Sequence, residues 1–324
     1  MKKISIVALI LASLAIAGEA FIFATRKDDS EQLHTQAIRS DCRVYAPPLP
    51  DTMTFCGERV PLNQYYVRES LDRELVSNMY YQSNTLFNIK RAARTFPTIE
   101  RILREEGVPQ DMKYLCVIES GLQCVSSPAG AQGYWQFMKT TGQRYGLEIG
   151  DDIDMRNHLE ASTRAACRYL KDLRARFGGW TEAAAAYNCG EGGLGKRLAS
   201  QRQVSYYELL LNQETQRYVY RILALKLIMQ HPQDYGYYVR RCDTYPEVPT
   251  ATVDLGGQNV DLVDFAISHG TTYKMLRSLN PWLTSSTLKN KAGKTYKVKI
   301  PVKKGTEYNT IVKGKHDTTV IERI

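Results

Sequence analysis

The sequence predicts a mainly helical protein that ends in a small α+β module. Three observations carry that reading. Upstream of residue 235, apolar residues recur at three- and four-residue spacing, as in Leu71, Leu75, Val76 and Met79, the period of a helix with one buried face. Few segments in that stretch alternate with the period of two that a half-buried strand requires. Beyond Pro246 and Pro249 the pattern changes to strand, helix, helix, strand between residues 252 and 300.

Residues 1–20 read as an export signal. Lys2 and Lys3 precede an apolar run from Ile4 to Ala17, and Gly18-Glu19-Ala20 offers a small-x-small cleavage site. The alternative is an uncleaved anchor to residue 24, since Phe21-Ile22-Phe23-Ala24 extends the run towards the ~20 residues that span a bilayer. Glu19, which an anchor would have to bury, weighs for cleavage. Residues 25–66 are polar, with Pro47, Pro48, Pro50 and Pro61, and read as a linker or irregular strap.

A helical domain is expected over 67–240. Helical spacing runs from Val67 to Leu103, continuing through Leu86, Ile89, Ala93 and Phe96. Gly107 stops that run, and Pro109 opens the next helix at its first turn. Met112, Leu115, Cys116 and Ile118 form its buried face, Glu119 ends it, and Gly121 is the terminator. After a loop containing Ser126-Ser127-Pro128-Ala129-Gly130, a helix holding Trp135, Phe137 and Met138 is expected, then helices over 158–177, 180–188 and 214–230. The module is expected over 250–303. Thr252-Val253-Asp254-Leu255 and Tyr296–Ile300 are its strands, Leu262–Ser268 and Tyr273–Leu279 its helices, and Asn280-Pro281 ends the second helix. Residues 304–324 read as a basic tail that a neighbour must hold if it is ordered.

The 324 residues are 43% hydrophobic and 24% charged, enough for one large and one small core. Formal net charge is +9, and loss of residues 1–20 removes two lysines and one glutamate, leaving +8. A basic exported protein favours an anionic envelope polymer, although solvated lysines produce the same balance; export makes nucleic acid an improbable partner. The seven cysteines fit an oxidising compartment. Cys42–Cys56, Cys116–Cys124 and Cys167–Cys189 are the local pairings expected, with Cys242 the odd residue out. No CxxC-type pair points to a zinc site.

The chemistry concentrates around Glu119. Glu favours a helix's first turn, because the C-terminal end carries partial negative charge. A carboxyl at that end is pushed towards its protonated form, the form a general acid needs. Around it stand Gly133-Tyr134-Trp135-Gln136-Phe137-Met138, Ala186-Tyr187-Asn188-Cys189-Gly190, and Glu214-Thr215 with Tyr218. Singly these are ordinary: a surface amide beside a core aromatic, a helix C-cap, a tyrosine at core spacing. In this order, with Glu119-Ser120-Gly121 at their head, they resemble the family 1 lytic transglycosylases, over roughly residues 95–235. Residues 250–303 resemble a LysM module through Thr271-Thr272-Tyr273, Leu276 and Leu279-Asn280-Pro281-Trp282. They depart from it at Gly256-Gly257-Gln258-Asn259-Val260, which replaces the usual glycine-aspartate-threonine opening.

The resemblance implies a lysozyme-like (goose-type) helical fold and cleavage of peptidoglycan between N-acetylmuramic acid and N-acetylglucosamine. The products would be 1,6-anhydromuramoyl ends, with Glu119 acting first as acid and then as base. It implies that Ser120 and Tyr218 orient Glu119 or the adjacent sugar. Gln136 and Asn188 would bond acetamido or muramyl groups, Tyr187 would line the groove, and Met138 would pack on a sugar face. Tyr134 stands where an aliphatic residue is more usual, and Cys189 is likewise an unusual choice. No metal or organic cofactor is required. A periplasmic or envelope location is expected, with membrane attachment through the N-terminal segment left open, and the protein is expected to be a monomer. Two alternatives stay open: a muramidase using a second carboxylate, for which Asp151, Asp152 and Asp154 are available, and a catalytically silent peptidoglycan-binding protein. For the Lys-rich run 289–304, a solvated strand face is favoured over a binding patch.

Overall fold

The computed structural model describes residues 32, 33, 35, 36, 45–311 and 318–324. The export signal expected over residues 1–20, or anchor to residue 24, lies outside the described residues. Residues from Pro47 onwards form one unit with two cores.

The strap before the first helix is not wholly irregular. Thr54–Phe55 (β1) and Glu58–Arg59 (β2) form a short antiparallel hairpin turned by Cys56-Gly57. Met53, Phe55, Val60 and Leu62 go into the main core. The helical run expected from Val67 divides at Tyr81 into α1 (Tyr65–Tyr80) and α2 (Gln82–Glu105). A 3-10 turn at Gln110–Met112 leads into α3 (Lys113–Ser120), which stops at Gly121 with φ +60. Then come α4 (Lys139–Arg144), α5 (Leu159–Phe177), α6 (Trp180–Cys189), α7 (Glu191–Gln201) and α8 (Gln213–Gln230). Helix α8 is the central element: α1, α3 and α6 all pack on it, while α5 packs on α2 and α6.

Two local expectations are corrected. Trp135, Phe137 and Met138 do not lie on a helix; they sit in a turn-rich loop that ends where Met138 caps α4. Tertiary demands override the apolar spacing here. Trp135 is fully buried with its indole N–H donating to Thr163 Oγ1 at 2.9 Å, and Gln136 takes a left-handed φ of +48. Helix α7 goes beyond the sequence expectation, because Gly192, Gly193 and Gly195 lower its helical propensity.

The cysteine pairings are corrected as well. Cys116, Cys124, Cys167 and Cys189 are free thiols. The Cys116 thiol donates to the Tyr134 carbonyl at 3.2 Å and Cys124 to Asn157 Oδ1 at 2.9 Å. Each therefore bonds a different neighbour, and sequence spacing is no guide to that. Cys42 lies outside the described residues.

The C-terminal module keeps the expected strand, helix, helix, strand as β3 (Thr250–Leu255), α9 (Leu262–Ser268), α10 (Tyr273–Leu279) and β6 (Tyr296–Pro301), and adds two short paired strands, β4 (Val260–Asp261) and β5 (Thr287–Leu288). Strands β3 and β6 pair antiparallel from Thr250↔Pro301 to Leu255↔Tyr296. Its core gathers Leu255, Leu262, Leu276, Trp282, Leu283, Leu288 and Val298, and takes in Ile153 from the helical part. The Lys-rich run is partly an internal seam, since Lys294 pairs with Glu148 at 3.1 Å and Lys299 with Glu160 at 3.4 Å. The end of the chain is held: Arg240 bridges Val320, Ile321 is buried in the main core, and Ile324 N–H donates to the Met229 carbonyl at 3.0 Å. Among the described residues, no helix is long and apolar enough to cross a membrane.

Candidate active site

Helix α3 is only eight residues long, and its last turn presents Glu119 towards α8. Gly121 makes the stop possible, because its left-handed backbone lets its N–H return to the Val117 carbonyl at 2.8 Å. The Tyr218 hydroxyl, 99 residues away on α8, donates to Glu119 Oε1. The Glu119 residue is partly open to solvent, while its carboxyl group lies deep beside Tyr218, Tyr187 and Cys116. Burial raises its pKa from 4.5 to about 7; the Tyr218 bond works against that rise, and the charge of Glu214 adds to it. A carboxyl that is half protonated near neutral pH, yet reachable from outside, is suited to giving and taking back one proton. Burial pushes the Tyr218 hydroxyl well above 10, with the Glu119 charge assisting, so it stays a donor.

Replacing Tyr218 by Phe removes the bond that favours the carboxylate. The Glu119 pKa is then expected to climb further above about 7, read by carbon NMR titration of the side-chain carboxyl. A midpoint that stays put or falls would show that the phenol does not stabilise the ionised form.

The other residues fall into two groups. Ser120 is buried, and its hydroxyl donates to the Tyr134 carbonyl at 2.7 Å and the Cys116 carbonyl at 3.2 Å. It therefore clamps the loop that follows α3, and its hydroxyl bonds are not to Glu119. Tyr187 donates to the Trp135 carbonyl at 2.7 Å, and its ring packs on Phe137 and Tyr169. Gln136 spends its amide N–H groups on the carbonyls of Gly133 (2.7 Å) and Val125 (2.9 Å). Asn188 Oδ1 accepts from Thr215 Oγ1 at 3.0 Å. Met138 is 45% exposed, an unusual state for a thioether side chain.

Two motif residues on α8 and an arginine outside the motifs complete the frame. Thr215 fixes Asn188. Glu214 is exposed in the first turn of α8, where a carboxylate suits the helix dipole. Arg156 is buried and donates through Nη1 to the carbonyls of Gly130 and Phe137, both at 3.1 Å, while Asp154 grips it at 2.6 Å. A buried arginine among loop carbonyls leaves no period in the sequence. Asp154 and Asp152, considered above as a second catalytic carboxylate, are engaged elsewhere: Asp152 Oδ2 accepts from Lys289 N–H at 2.9 Å. Among the described residues, no cluster of three His, Cys, Asp or Glu side chains is placed to share a metal ion.

Residues 97–210 match the Transglycosylase SLT domain. Residues 251–304 match the soluble lytic transglycosylase C-terminal LysM-like domain. The chain is similar to the membrane-bound lytic murein transglycosylase D of Escherichia coli strain K12, at 29% identity over 301 residues, 87% of this chain and 65% of that protein. The namesake from Escherichia coli O6:H1 strain CFT073 matches at the same figures. A putative tributyltin chloride resistance protein of Alteromonas sp. strain M-1 is 32% identical over 107 residues, 32% of this chain and 52% of its own length. The chain therefore spans just under two thirds of the length of the first two curated relatives. The SLT domain contains Glu119, Ser120, Gln136, Met138, Tyr187 and Asn188 and stops short of Tyr218, so the tyrosine on Glu119 comes from outside the matched span. The helical lysozyme-like fold and the LysM-like module expected from the sequence are both present.

Proposed function

We propose that this chain is a peptidoglycan lytic transglycosylase, with Glu119 as its one catalytic carboxyl. The observation that carries the reading is the Glu119 carboxyl itself, raised to about 7 and held by Tyr218 inside an SLT domain. Glu119 gives its proton to the oxygen linking N-acetylmuramic acid to N-acetylglucosamine, and the bond from the muramyl C1 to that oxygen breaks. The substrate's own acetamido group shares the positive charge left on C1. The carboxylate, steadied by the Tyr218 hydroxyl, then removes the proton of the C6 hydroxyl, whose oxygen attacks C1 and closes a 1,6-anhydro ring. No water is consumed, and Glu119 ends protonated as it began. Tethering the nucleophile within the sugar replaces the second carboxylate that ordinary glycosidases require.

The amide geometry suggests a division of labour for Gln136 and Asn188. With its N–H groups committed to the loop, Gln136 offers Oε1 as an acceptor for an acetamido N–H. With Oδ1 committed to Thr215, Asn188 offers Nδ2 as a donor to a sugar carbonyl or carboxylate. Met138 supplies an apolar face for a pyranose ring. An envelope location follows from the substrate, and residues 1–20 are the candidate export signal, or residues 1–24 the candidate anchor.

The decisive measurement is mass spectrometry of the fragments released from purified peptidoglycan. Anhydro products, lighter by one water than the corresponding reducing-end fragments, are expected. Reducing ends would make the protein a muramidase and turn attention to Glu214, whose charge reaches Glu119. Binding without release would make it a silent peptidoglycan binder.

A further inference from the structure

The LysM-like module and the loop carrying Gln136 and Met138 are both built onto one short segment, residues 147–157. On the module side, Ile153 is buried in the module's own core beside Trp282 and Leu283, and its backbone bridges Leu283. Asp154 N–H donates to the Trp282 carbonyl at 2.8 Å, and Thr284 N–H to the Asp152 carbonyl at 2.9 Å. On the groove side, the Asp154 carboxylate caps the 3-10 turn Met155–Asn157 and holds the Arg156 guanidinium, which in turn holds Gly130 and Phe137. Asn157 Oδ1 accepts from Gln132 Nε2 at 2.9 Å. The Arg156 carbonyl lies only 2.0 Å from where a Cβ on Gly133 would sit, so turn and loop are in closest contact. Asp154 thus bonds the module through its N–H and the loop's anchor through its carboxylate.

We propose that the LysM-like module is a positioning element for the sugar-binding loop, acting through Ile153, Asp154 and Arg156. The inference rests on the reading of Gln136 and Met138 as sugar contacts. A buried guanidinium paired with a buried carboxylate has few alternative positions, so a displaced Asp154 carries Arg156 and the two loop carbonyls with it. The exposed pairs Lys294–Glu148 and Lys299–Glu160 add little to the seam; the apolar plug and the backbone bonds hold it. The module therefore acts on cutting as well as on retention. Removing it should impair cleavage even of glycans too short to need retaining.

The test compares the full-length protein with Ile153→Ala, which empties the plug, and with Asp152→Ala, which removes one surface acceptor and spares both cores. Ile153→Val serves as the conservative control. In Ile153→Ala, hydrogen exchange at the Gln132 and Gly133 amides is expected to quicken about tenfold, and in Asp152→Ala, which keeps the plug and the backbone bonds, by clearly less. KM of Ile153→Ala for short soluble glycan strands should rise about fivefold with kcat little changed. The alkaline limb of the pH profile should stay in place, since Glu119 is untouched, and Ile153→Val should restore wild-type values. Unchanged exchange at 126–137, with the seam amides of Asp154 and Thr284 opened, would overturn the proposal. If the wild-type protein cuts nothing, the functional reading fails, while the exchange comparison still decides whether seam and loop are coupled.

Discussion

Glu119→Gln is expected to abolish cleavage while leaving glycan binding intact. Loss of general-acid catalysis alone is worth about 10²–10⁴ in rate, and here the same group also serves as base, so the loss in rate should fall at the upper end of that range. Glutamine keeps the size and an acceptor for Tyr218 but has no proton to give. Retained cleavage at more than about one-hundredth of the wild-type rate would place the acid on another residue.

The same substitution has a stability signature with a defined sign. Burial raises the Glu119 pKa from 4.5 to about 7, so folding favours the protonated form. That contribution is present in full below about 4.5, declines as pH rises, and is spent once pH passes about 7. Glutamine is neutral throughout. Glu119→Gln should therefore match the wild type near pH 4 and exceed it near pH 8 by about 2–3 kcal/mol, the free energy of that pKa difference reduced slightly for the group's partial access to solvent. Urea midpoints at the two pH values read this directly. Equal gains at both would mean that the wild-type carboxyl does not titrate over that range. Cleavage by the wild type should fall along the same alkaline limb, as the acid loses its proton.

Gly133→Ala is the second large effect. Gly133 has φ +85, and a Cβ there would lie 2.0 Å from the Arg156 carbonyl oxygen and 2.6 Å from its carbon. The left-handed backbone costs an alanine about 1–2 kcal/mol. Relieving a clash with backbone on a turn that also binds Asp154 adds about 1–3 kcal/mol more. A loss of about 3–4 kcal/mol is expected, with a fall in melting temperature of roughly 10 °C for a protein of this size. Because the displaced segment carries Gln136, KM should rise as well. A variant that melts within about 2 °C of the wild type would show that the loop and the Met155–Asn157 turn separate easily. That outcome would also weaken the case for coupling between module and groove.

Much of the architecture was legible in the chain. Gly107, Pro109 and Gly121 bracket α3 in the sequence as they do in the structure. The strands and helices of the module are visible from the alternation at Tyr296–Ile300 and the stop at Asn280-Pro281, and in the structure Thr272 caps α10 by accepting from Met275 N–H at 3.2 Å. The misses share one physical origin. Helix α7 forms despite its glycines because Leu194 is buried in the main core. The stretch from Trp135 to Met138 fails to form a helix because Trp135 must reach Thr163 and Gln136 must turn back on Gly133 and Val125. Both outcomes are decided by partners distant in sequence, which outweigh propensities of about 1 kcal/mol or less per residue.

The site divides along the same line. The sequence alone determined that Glu119 ends a helix against its own dipole, because capping and helical period are set within a few residues. It also determined the helical character of the main part and the strands of the module. Only the tertiary structure decided that the Glu119 carboxyl titrates near neutrality, since that depends on Tyr218 crossing 99 residues to reach it and on burial from several helices. Only the tertiary structure turned Asp152 and Asp154 from candidate catalysts into seam residues, left Cys116, Cys124, Cys167 and Cys189 as thiols, and joined the module to the groove through Arg156. Desolvation, ion pairing and thiol proximity are properties of what surrounds a group in space, and local sequence carries no measure of that.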